Sequence, residues 1–173
     1  MIDKRRILEQ LRAAKSAQIQ WRAYTQALVS GQEEDMARTM AIQARTKFGR
    51  WYYGSGQKLN IFGAFDKVSR HHKIMQEVNA RIFDLLYPEE ELFGAGQENG
   101  GFLSWFRNPG RDMEKRRAEL EQLLPQLVEA SSELMRSIDE LEAEVQEMPE
   151  RDLTALLAED HQHIDYERNF LVN

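Results

Sequence analysis

The sequence predicts an all-α fold: an up-down four-helix bundle with a long loop between helices three and four and a helical extension at the C-terminal end. Three observations predict it. Four long segments carry apolar residues at steps of three and four, and no stretch alternates in the manner of a strand. Only 4 Pro and 10 Gly occur, and five of those glycines fall between residues 94 and 110, which leaves the rest of the chain free to be helical. The 173 residues are 42% hydrophobic and 30% charged, enough apolar material for one packed domain.

In the first segment Ile7, Leu11, Ala14, Gln18, Trp21, Thr25 and Leu28 form a heptad-like seam, the pattern of helices packed at a shallow angle. Gly31 is its expected stop. The second segment, about 33–48, has a weaker pattern in Met36, Met40, Ile42, Ala44 and Phe48, with Thr39, Ile42 and Thr46 as its expected inner stripe. Gly49-Arg50-Trp51-Tyr52-Tyr53-Gly54-Ser55-Gly56 follows. Three adjacent aromatics cannot all face one side of a helix, so this string reads as a connection that plugs one end of the bundle. The third segment, about 62–87, repeats the three-four step through Phe65, Val68, His72, Met75, Asn79, Ile82 and Leu86, and Pro88 closes it.

Residues 88–111 break the pattern with a turn-rich acidic run and an apolar island, Phe102 to Phe106. About 24 residues is long for a bundle connection, where ~2–8 is usual. The island has two readings, a cap folded over the bundle end or an anchor for a partner protein carried by Phe102, Trp105 and Phe106. The fourth segment is the most regular: Leu120, Leu124, Leu127, Ser131, Leu134, Ile138, Leu141, Val145 and Met148 hold one seam. Pro125 lies inside it and should kink it or leave a carbonyl unpaired. The bundle thus occupies 1–148. Residues 149–173 form the extension, opened by Pro149 and carrying Leu153, Leu157, Ile164 and Leu171.

Charge and composition remove several function classes. Lys and Arg number 23 against 29 Asp and Glu, a net charge of −6 that repels phosphate backbones and argues against nucleic acid as a partner. The absence of Cys excludes disulfides, thiolate metal sites and Cys nucleophiles. No apolar run reaches the ~18–20 residues of a membrane span, and Met1 to Arg6 lacks the apolar stretch of a signal peptide. The expectation is a soluble cytoplasmic protein without membrane insertion.

Four seam or near-seam positions are polar: Gln18, Thr46, His72 and Gln76. Burying an unpaired polar group costs ~1–3 kcal/mol, so four of them are tolerable only if they bond one another, water or a guest. A bundle interior is where metals and small ligands bind in this architecture. For zinc the set is poor, because of these four only His72 is a strong ligand and His71 points about 100° away. Asp160, His163 and Glu167 share one side of the C-terminal helix and form a second candidate chelate, or a solvated face with an i,i+4 pair. Arg111, Lys115, Arg116 and Arg117 make a small basic patch. No hydroxyl has a recognisable base and acid partner, and no phosphate-cradling glycine motif occurs, so no catalytic residue is assigned.

Ala14-Lys15 followed by Trp21, the aromatic-glycine string with Trp51, Tyr52, Tyr53, Gly54 and Gly56, then Phe65, His72-Lys73 and the Ser131/Leu134/Leu141 stripe resemble the chemoreceptor zinc-binding (CZB) domain family over about residues 8–145. The resemblance implies a small cytoplasmic bacterial four-helix sensor of the kind attached to chemoreceptors and diguanylate cyclases or standing alone, binding zinc through three His and one Cys. At those positions this chain carries Gln18, Thr46, His72 and Gln76, so His72 is the one retained ligand. The resemblance therefore implies a non-enzymatic signalling module, in chemotaxis or cyclic-di-GMP regulation, with a degenerate zinc site and no expected cofactor. It would act through protein contacts and as a homodimer. The alternative keeps a metal or small polar ligand around His72.

Overall fold

A computed structural model describes residues 3–88 and 109–158. Those residues are helical throughout, with short connections and no strand among them. Helix α1 spans Lys4–Val29, α2 Glu34–Tyr53, α3 Gly63–Leu86 and α4 Pro109–Glu147. A 3-10 turn, Ser55–Leu59, links α2 to α3, and residues 150–158 form a further helical stretch, α5.

The helices pack as a bundle, with α1 against α2, α3 against α4 and α1 against α4. Hydrogen bonds fix the register. Arg12 reaches Glu142, Gln18 reaches Ser131, Lys67 reaches Glu140 and Arg81 reaches Glu119, so α4 runs antiparallel to both α1 and α3. Between α2 and α3 the contact is carried by large rings rather than by close backbones, since Tyr52 stacks on Phe65 at 5.7 Å and its hydroxyl lies 2.9 Å from Ser69 Oγ.

The α1 seam is where its spacing places it: Leu11, Ala14, Gln18, Trp21, Thr25 and Leu28 are buried, joined by Ala17. Its end is a Schellman motif, in which Gly31 takes φ 71°, the Gly31 N–H bonds Leu28 O and the Gln32 N–H bonds Ala27 O. In α3, Phe65, Val68, His72, Met75, Asn79 and Ile82 are buried as the period requires. In α4, Leu127, Ser131, Leu134, Ile138, Leu141 and Val145 form the buried stripe. Pro125 sits inside α4 on its exposed face. The carbonyl four residues earlier, on Glu121, loses its intrahelical donor there, at a position where water replaces it.

Two sequence expectations are corrected. The inner stripe of α2 is Ala37, Ala41, Ala44, Phe48 and Trp51, while Thr39, Ile42 and Thr46 lie on the exposed side. The small alanines let α2 lie close against α1, and the larger Met36 and Ile42 face outward. The aromatic string is also no separate connection: α2 runs on through Gly49 to Tyr53, and the break comes at Gly54. The three rings divide as the helical turn demands, with Trp51 buried, Tyr52 half-buried and Tyr53 65% exposed.

At the C-terminal end, Asp152 N and Leu153 N bond the Pro149 carbonyl, and Leu153 and Leu157 join the main core. Helix α4 begins at Pro109, so Lys115, Arg116 and Arg117 stand on its first turns. The Phe102, Trp105 and Phe106 island, the Asp160/His163/Glu167 set, Ile164 and Leu171 lie outside the described residues. No helix among the described residues is long and apolar enough to cross a membrane.

Candidate functional site: the polar interior of the bundle

His72 is carried on α3 by the same three-four step that buries Val68 and Met75. It is 2% exposed. Its imidazole is enclosed by rings: Tyr52 at 4.4 Å between centroids, Phe48 at 5.0 Å, Tyr53 at 6.0 Å and Trp21 at 6.3 Å. Among the described residues it makes no hydrogen bond. Burial away from water penalises the charged form and lowers its pKa from the ordinary 6.5 to about 4, so the ring is neutral at neutral pH.

The other polar seam residues are engaged elsewhere. The Gln18 amide, fully buried on α1, donates from Nε2 to the Ser131 carbonyl at 3.0 Å and to Ser131 Oγ. The carbonyl fixes the amide's orientation, because only a nitrogen can donate to it. Gln18 Oε1 is buried and has no partner. One turn further along α1, Trp21 Nε1 donates to Asn79 Oδ1 at 2.8 Å. The Thr25 hydroxyl lies 2.8 Å from the Trp21 carbonyl and 3.3 Å from the same Asn79 oxygen. This triad ties α1 to α3 across the core.

The four positions singled out by sequence therefore do not form one layer. Gln18 faces α4 and His72 faces the rings of α2. Gln76 is half-buried. Thr46 is exposed and donates back to the Ile42 carbonyl at 2.8 Å, the local bond that a helical Thr makes. Its outward placement follows from helical geometry, since it stands two residues, about 200°, beyond buried Ala44. Sequence reading placed Thr25, Asn79 and Ser131 on seams and left them unpaired; the polar atoms on two seams one turn apart were the available signal.

The donor set does not fit a zinc ion. Zinc takes three or four neutral imidazole, thiolate or carboxylate ligands. Around His72 the structure offers aromatic carbons, and no group of three His, Asp or Glu converges among the described residues. Four carboxylates of α4 are committed to surface pairs instead: Glu142 with Arg12, Asp139 with Lys15, Glu140 with Lys67 and Glu119 with Arg81. No protein-family model, no curated protein and no solved structure matches the chain.

Proposed function

We propose that this chain is a non-enzymatic regulatory module that works through protein contacts, on a CZB-like four-helix scaffold that has no metal cargo. One observation carries the reading: the single imidazole at the ligand positions is packed among four rings, and among the described residues no three His, Asp or Glu converge on it. An interior filled by rings and by internal hydrogen bonds supports a scaffold role. Communication would then pass through the outer faces, including the partly exposed Ile19, Met36, Ile42 and Ile74. A bacterial signalling setting and a homodimeric state belong to the same proposal and rest on the aromatic-glycine string. The up-down order of the four helices fits the antiparallel pairs.

Metal content and self-association test it. Purified protein, equilibrated with zinc and dialysed, should retain far less than one zinc per chain, and a chelator should leave Tm unchanged. Sedimentation should show a concentration-dependent dimer. Stoichiometric zinc that disappears in His72→Ala would overturn the cargo-free reading, and a strict monomer would remove the homodimer.

A second reading, interior binding of a small polar ligand, is favoured by one specific observation, the unpartnered buried Gln18 Oε1.

A further inference from the structure

Two buried polar atoms on α1 lack a protein partner, and they stand one helical turn apart. Gln18 Oε1 is an acceptor without a donor, and Arg22 Nε is a donor without an acceptor. Residues four apart share a helix face with Cβ atoms about 5–6 Å apart. Long helical side chains lean toward the N-terminus, so the Arg22 stem runs back over the turn that carries Gln18. The Gln18 amide cannot turn to cure the mismatch. Its Nε2 is held by the Ser131 carbonyl and Oγ, and an inverted amide would set oxygen against oxygen there. Leaving both atoms unmatched in a buried setting forfeits the hydration each would have in the unfolded chain. Native interiors satisfy such atoms with a protein partner, an ordered water or a bound group that supplies the complement.

We infer that Gln18 and Arg22, backed by Ser131, form a binding site between α1 and α4 for the head group of a small molecule presenting one donor and one acceptor side by side, a primary amide or a protonated carboxylic acid. The N–H or O–H of that group donates to Gln18 Oε1, and its carbonyl accepts from Arg22 Nε. Gln18 is fully buried and Ser131 is fully buried, so the acceptor end of the site is built into the core, while half-buried Arg22 marks the side from which a ligand enters. This inference rests on the second reading above, since both start from Gln18 Oε1, and its failure would leave the regulatory reading and the metal question untouched.

Acetamide is the direct probe, because it carries only the head group. Titrated into the full chain, it should shift the Gln18 side-chain amide resonances saturably, in the millimolar range expected of so small a ligand. Arg22→Met keeps the stem and removes the donor, and it should weaken that binding at least about tenfold, the effect of losing one buried hydrogen bond of about 1.4 kcal/mol. Gln18→Met, followed through the Arg22 Nε–H resonance instead, should weaken binding to the same extent. A linear, non-saturating titration would overturn the inference, as would saturation untouched by either variant. So would a high-resolution crystal structure with Arg22 Nε bonded directly to Gln18 Oε1, or with a bridging water that acetamide does not displace.

Discussion

Acidification should weaken this fold through His72, and the size of the effect can be worked from its burial. The folded pKa is lowered from 6.5 to about 4 because the ring is removed from water. Above the unfolded pKa both states hold a neutral ring and His72 contributes nothing. As pH falls below about 6.5 the unfolded chain takes up a proton that the native state refuses, so stability drops. The loss grows until the native ring also protonates near pH 4 and is flat below that. A separation of about 2.5 units is worth roughly 3 kcal/mol at the plateau, and the same relation gives about 2 kcal/mol at pH 5. Urea unfolding of the parent and of His72→Phe at about pH 7.5, 6 and 5 isolates this contribution. The phenyl ring suits the surrounding Phe48, Tyr52 and Trp21 and cannot titrate. Whatever the variant costs through packing is the same at every pH. The parent should lose about 2 kcal/mol more than the variant between the first and last conditions. Parallel profiles would refute the reasoning and would mean that the ring faces hold an imidazolium as well as water does.

Trp21→Phe removes the proton given to Asn79 and shrinks a fully buried ring, so it should cost at least about 1–2 kcal/mol in chemical denaturation, and Asn79→Leu, which strands the indole N–H, should cost about 1–3 kcal/mol. Gly56→Ala places a methyl 2.8 Å from the Trp51 carbonyl and 3.0 Å from Trp51 Cε2, an overpacking worth about 1–3 kcal/mol that a fall in Tm would register. Pro125→Ala restores a helical hydrogen bond on the exposed face of α4 and should stabilise by about 1–3 kcal/mol, with a higher urea midpoint as the readout.

Helices α1, α3 and α4 were legible because their inward residues are large. Leu11, Trp21, Phe65, Met75, Leu134 and Leu141 announce a face that few other arrangements could satisfy. Helix α2 is hard to read from sequence for the opposite reason. Its inward residues are alanines, which spacing arguments underweight, and its conspicuous Met36 and Ile42 face solvent. Three rings cannot share one side of a helix, and the chain meets that constraint within α2 by leaving Tyr53 exposed. At the candidate site, burial of Gln18 and His72 follows from period alone. Partnership does not: that Gln18 reaches Ser131 and Trp21 reaches Asn79 depends on how far each helix is shifted along its neighbour, over separations of 113 and 58 residues. Local sequence carries no information on such offsets. Thr46 shows the same limit, since its position within the resemblance said nothing of the direction its helix would turn it.

The described residues pack as two helix pairs, α1 with α2 and α3 with α4, meeting where α1 lies along α4 and where the rings of α2 reach α3. Directional bonds sit across that junction, Gln18 to Ser131 and Trp21 to Asn79. Sliding one pair by a single residue would move these atoms by about 1.5 Å, several times the tolerance of a hydrogen bond. Interdigitated apolar side chains resist such slippage as well, but without the directional demand of a hydrogen bond. The buried amides therefore act as a ratchet pawl: they forbid axial travel, and they leave prising apart at the ring-filled edge as the motion with least resistance.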